Sequence, residues 1–167
     1  MRKTRSCLLL CALLAMWLPG NGSAVEPPPT LTSGDKVPEL TLEDQHGTTH
    51  ALPADARLVL FTADKAASSL LQDYLAQRDA DFLRQRQAHF VADISGMPGL
   101  VTRMFALPSM RERPYPILLA YAAEDVAQLP RREGQVSVLR INQRRITDVA
   151  YASSGAQLDA LLGQPRP

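Results

Sequence analysis

Cysteine is almost missing from this sequence: only Cys7 and Cys11 occur in 167 residues. Both fall in an N-terminal stretch with the makeup of a secretory signal. Arg2, Lys3 and Arg5 form its positive end, Leu8 to Leu18 its uncharged apolar run, and Gly22-Ser23-Ala24 its small-residue cleavage site. Cleavage after Ala24 is expected, with a periplasmic or secreted destination. Neither cysteine stands beside that cleavage point, where a lipid-carrying cysteine belongs. The chain from Val25 onward then has no sulfhydryl, which excludes disulfides, thiol catalysis and thiolate metal ligation. The apolar run is shorter than the roughly 20 residues of a membrane span. No membrane association is expected once it is removed.

Other scarcities narrow the field further. The one tryptophan, Trp17, lies in the leader, and beyond the leader lysine is confined to Lys36 and Lys65. Loss of the three leader cations leaves 15 basic residues against 17 acidic ones, a formal charge of −2. Nucleic acid, which needs a concentrated basic face, is not an expected partner. No G-x-G-x-x-G occurs, and the 143 residues from Val25 leave no room for a dinucleotide domain beside another domain. No cofactor is expected. Three histidines are present; His46 and His50 are four apart, but across a turn or strand rather than along a helix, and His89 opens a strand. No metal site is expected.

What remains reads as one domain, Gly34 to Gly163, after a proline-rich leader (25–33) and before a short tail (164–167). The leader, V-E-P-P-P-T-L-T-S, is expected to be extended and loosely packed. Leu40 and Leu42 alternate with polar residues, Asp44-Gln45-His46-Gly47 is a turn, and Thr48 to Leu52 returns: a β-hairpin. Leu58 to Phe61 is a continuous apolar run, as in a strand covered on both faces. It runs into a helix, Ala66 to Arg78, with Leu70, Leu71, Tyr74 and Leu75 on one face. Asp79 to Gln87 extends or restarts that helix. His89 to Ile94 is a strand. Leu100, Val101, Met104, Phe105 and Leu107 make a short apolar-faced helix that closes before Pro108. Pro116 opens the strand Ile117 to Tyr121. Val136 to Ile141 and Arg145 to Tyr151 form a second hairpin, and Ser154 caps a last helix with Gln157 as its capping-box partner.

Three stretches together resemble the thioredoxin-like superfamily, more closely its periplasmic and peroxiredoxin-like members. They are G-D-K-V-P-E-L-T-L-E-D-Q-H-G, Leu58-Val59-Leu60-Phe61 and Tyr115-Pro116-Ile117-Leu118-Leu119. The resemblance spans Gly34 to Leu162. It implies an α/β three-layer fold, with a central mixed sheet, helices on both faces and an N-terminal hairpin. It also implies a cis bond before Pro116, and redox cysteines at the positions of Ala66 and Ser69. Neither position holds sulfur, so the activity the resemblance implies is removed.

The same resemblance gathers functional loops at the strand-to-helix end, so Asp64, Lys65 and Ser69 are expected to meet Arg111, Arg113, Tyr115 and Pro116. Arg111 and Arg113 would donate to a small anion; the competing reading of that segment is a solvated charged loop. Ser68 and Ser69 read as N-terminal caps of the helix rather than nucleophiles, since a nucleophile would need a histidine oriented by a carboxylate. Asp93 reads as a cap for the loop that follows it. The expected role is a non-catalytic binding or accessory module for an unknown periplasmic protein or small anionic ligand. The alternative is a non-thiol enzyme, or a redox-associated protein of the kind labelled dehydrogenase, using the same end.

Overall fold

The computed structural model describes residues 29–163. The leader with its cleavage site, both cysteines and the tail 164–167 lie outside the described residues. The encoded chain is therefore not cysteine-free, although residues 29–163 contain no cysteine.

The chain forms β1 (Thr41–Asp44), β2 (Thr49–Ala51), β3 (Leu58–Thr62), α1 (Lys65–Leu75), α2 (Phe82–Gln85) and β4 (Ala88–Asp93). A composite helix follows: α3 (Gly99–Val101), a π-helical turn (Thr102–Ala106) and α4 (Leu107–Arg111). Then come β5 (Ile117–Ala120), a 3-10 turn (Ala123–Val126), β6 (Val136–Asn142), β7 (Arg145–Ala152) and α5 (Gly155–Leu162). The seven strands make one mixed sheet in the order β2-β1-β5-β4-β3-β6-β7. β3, β4 and β5 run parallel. β6 lies antiparallel beside β3, and β1 antiparallel beside β5.

β3 is buried at every residue, as its unbroken apolar run requires. Its alternate side chains feed two cores. Leu58 and Leu60 pack with α1, α2, α4 and α5, whereas Val59 and Phe61 pack with β1, β7, the 3-10 turn and the N-terminal segment. The two sheet faces are thus covered unequally, the α-helices on one and the 3-10 turn on the other. Ordered packing begins earlier than Gly34: Leu31 is buried, its N–H donates to Gln128 O at 2.8 Å, and the Ser33 hydroxyl donates to Thr147 O at 2.8 Å. An apolar residue just past the prolines is enough to seat this part of the leader.

The second hairpin turns on Gln143 and Arg144, both at positive φ (48° and 61°), one residue later than Asn142-Gln143. The composite helix does not close before Pro108. Proline has no N–H to give the Met104 carbonyl, and its ring crowds the turn before it. The chain responds with the wider turn, in which Leu107 N donates to Thr102 O, and continues helical to Arg111.

Candidate functional site

β3 delivers the chain to α1 through Asp64, and that carboxylate holds the junction together. One oxygen accepts Ala67 N at 2.9 Å and caps α1; the other accepts Gly134 N at 2.8 Å, from the loop before β6. Asp64 is therefore the cap that Ser68 and Ser69 were expected to supply. Both serines lie inside the helix, where the Ser68 hydroxyl accepts from the Gln72 amide at 3.2 Å. Their hydroxyls sit too late in the turn to reach an unpaired first-turn N–H. Asp64→Ala is expected to cost about 1–2 kcal/mol, and Asp64→Asn less, because asparagine can still cap α1 although its NH2 cannot accept Gly134 N; urea denaturation of the two variants checks this.

Between α1 and the segment from Met97 to Arg113 lies an open groove of about 430 Å³. Lys65, Ser69, Gln72 and Asp73 form one wall. Met97, Val101, Phe105, Met110 and Arg113 form the other, with Ala92 and Ile94 at the base. Asp64 and Asp93 also border it, but both carboxylates are occupied. Asp93 accepts Ser95 N at 3.0 Å, as a loop cap, and pairs with Arg131 at 3.0 Å. Among the described residues no carboxylate comes within ion-pair distance of Lys65, Arg103 or Arg113. The Arg113 Nε is buried without an acceptor.

The rim of the groove is apolar and uncovered. Leu100 is 70% exposed, Val101 42%, Met104 60% and Phe105 68%. Their spacing is that of one helix face, the apolar face the sequence pattern predicts, and here that face meets solvent. In the structure Thr102 is buried instead, and the π turn carries Met104 and Phe105 outward. Leaving side chains of this size in water forgoes on the order of 1 kcal/mol or more each. An exposed apolar cluster bordered by polar residues marks an interaction site.

The β1–β2 turn holds a second polar group. Asp44, buried, accepts His46 N at 2.8 Å, Thr48 N at 2.9 Å and His50 Nε2 at 2.8 Å. Burial works against its charge, but the donations from Thr48, His50 and His46 outweigh it and hold the carboxyl below its ordinary range. Its stabilising contribution is present above the unfolded value of about 4 and fades as pH falls below that. His89 is half-buried, and burial pushes its pKa down, against the pull of Asp55 and with the push of His50. The unfolded chain then binds a proton that the folded chain refuses, so stability falls as pH drops below about 6.5. In wild type the urea midpoint should decline between pH 7.5 and 5.5; His89→Gln should flatten that decline.

No protein-family model matches the chain, and no curated protein does. Solved structures do. A peroxidoxin from Mycobacterium tuberculosis superposes with a TM-score of 0.52, covering 82% of this chain and 99% of its own, at 20% identity. A peroxiredoxin-like protein from Aquifex aeolicus gives 0.53 over 82% and 87%, at 10% identity. A thio-disulfide isomerase from Thermus thermophilus gives 0.50 over 82% and 99%, at 17% identity. The fold is thioredoxin-like.

Within the thioredoxin-like frame, Ala66 and Ser69 occupy exposed positions in the first turns of α1. The site residues expected from the resemblance separate into two groups. Asp64, Lys65, Ser69 and Arg113 border the groove together. Arg111, Tyr115 and Pro116 do not. The reason is topological. β3 and β5 run the same way, so the residue after β3 and the residue before β5 belong to opposite ends of their strands. The loop that reaches the α1 N-terminus is the one before β6, at Gly134. The bond before Pro116 is trans, and no cis peptide occurs among the described residues. Gln45, 1% exposed, holds that segment in place: its amide donates to Tyr115 O at 2.9 Å and accepts Ile117 N at 2.8 Å. Arg111 Nε is drawn to Gln45 O at 2.9 Å, away from the groove. The Tyr115 ring is buried against Phe90, centroids 6.5 Å apart. Burial raises its pKa, the Arg113 charge opposing. Sequence reasoning missed Gly134, Gln45 and the outward apolar face. Among the described residues no group of three or more histidine, aspartate or glutamate side chains is placed to hold a metal, and no helix is long and apolar enough to cross a membrane.

Proposed function

We propose that this thioredoxin-like protein works in the periplasm or as a secreted protein, after removal of its cysteine-bearing leader, as a non-catalytic binding or accessory module. Its recognition surface is the end of the fold where its redox relatives would carry sulfur. The observation that carries this is the uncovered apolar face of Leu100, Val101, Met104 and Phe105 on the rim of a groove whose other wall is the sulfur-free α1. Ala66 offers no nucleophile, and the Ser69 hydroxyl is too weakly acidic to serve as one without an adjacent base. The partner is an envelope protein or an anionic ligand that this groove accommodates.

Photocrosslinking in cells tests the surface directly. A benzophenone amino acid placed at position 105 should give a discrete adduct. The same group at exposed position 148 of β7 should not. No adduct from position 105, or the same adduct from both positions, would overturn the reading.

A further inference from the structure

We infer that the groove takes an extended apolar stretch of peptide, three or four residues long, carrying a carboxylate that Arg113 recognises. This rests on the reading of the groove as a recognition surface and goes further, by naming what it recognises.

Arg113 supplies the polar half of the site. It borders the groove, its Nε is buried without an acceptor, and no carboxylate among the described residues pairs with it. The Nε is shielded from the groove, whereas the Nη groups have no partner and are not enclosed, and a carboxylate, which can take two N–H groups at once, is the best-matched acceptor for them. Two of the three acids on the groove are engaged. Asp64 accepts two backbone N–H groups, Asp93 holds Arg131, and Asp73 stands unpaired on the α1 wall. Asp73 opposes an incoming carboxylate and so sets a measurable limit on affinity.

The apolar half comes from Val101 and Phe105, which line the groove, and Leu100 and Met104, which continue the surface beyond it. From Lys65 to Asp73 the α1 wall advances eight residues, about 12 Å. That is roughly the reach of three to four extended residues. A groove open along its length, with an apolar surface extending past its edge, suits a chain that runs through and beyond it better than a small molecule enclosed within it. A lipid surface would use the exposed side chains but would not need a guanidinium set between the two walls of a groove.

Fluorescence anisotropy tests this with a labelled four-residue peptide, three leucines and a serine, made with either a free C-terminal carboxylate or a C-terminal amide. Wild type should bind the acid at least tenfold more tightly than the amide. Arg113→Gln should abolish that difference, and Arg113→Lys should restore part of it. Asp73→Asn should tighten the acid form alone, and Phe105→Ser should weaken both forms. Equal binding of acid and amide by wild type, still weakened by Phe105→Ser, would overturn carboxylate recognition while leaving the surface itself standing. Failure of both peptides to bind would overturn the inference, and the crosslink from position 105 would then decide the broader reading separately. Co-sedimentation with phosphatidylglycerol–phosphatidylethanolamine vesicles that Phe105→Ser abolishes, without peptide binding, would overturn it in favour of a lipid surface.

Discussion

Gln45→Leu is expected to destabilise the fold by about 3–5 kcal/mol. The Gln45 amide satisfies two backbone groups, the Tyr115 carbonyl and the Ile117 N–H, on either side of a proline that can donate nothing itself. Leucine fills the space but strands both groups in a site 1% exposed, and each orphaned buried group costs about 1–3 kcal/mol. The turn would also loosen its hold on Arg111, which donates to the Gln45 carbonyl. For a domain of this size the loss corresponds to a fall in Tm on the order of 10 °C. Calorimetry or urea denaturation checks it. A loss below about 1 kcal/mol would mean that water takes over both groups.

Phe61→Ala should be at least as severe, about 3–5 kcal/mol. Phe61 is fully buried in β3, on the face packed with β1, β7 and the N-terminal segment. That face has no α-helix to settle into a cavity, so relaxation should recover little of the lost contact. Phe61→Leu, which leaves a smaller hole, should cost markedly less. Since small domains are stable by only about 5–15 kcal/mol, either Gln45→Leu or Phe61→Ala removes a large fraction of the total. Equal midpoints for Phe61→Ala and Phe61→Leu would contradict this picture of the core.

These two residues differ in how plainly the sequence announces them. Phe61 ends a four-residue apolar run, and such a run has few places to go but the middle of a sheet. The face of α1 was equally legible, with Leu71, Tyr74 and Leu75 buried and Leu70 partly so, although the helix ends at Leu75 rather than Arg78, and so was α5, where Ser154 accepts Gln157 N at 3.3 Å. Gln45 was not legible. It sits in a polar turn motif, where a side chain normally meets water, and only the return of β5 alongside β1 buries it. Pro116 was misplaced for a related reason. Sequence order says that β5 follows the composite helix, but not that β6, rather than β5, lies beside β3. The face of Leu100, Val101, Met104 and Phe105 shows a third limit. Helical periodicity shows which residues share a face, not whether that face meets the core. Of the candidate residues, Asp64, Lys65, Ser69 and Arg113 border one groove because α1 and the composite helix pack on the same side of the sheet; Arg111 turns instead to the Gln45 carbonyl, a partner no pattern indicates.

Absence of thiol chemistry at the head of α1 is the point on which the proposed role stands, and reduction of insulin disulfides in the presence of dithiothreitol measures it most directly. A chain beginning at Val25 should stay at the rate of buffer alone, while Ala66→Cys/Ser69→Cys, which returns sulfur to the first turns of α1, should rise above it. Turnover by the unmodified chain would contradict the account.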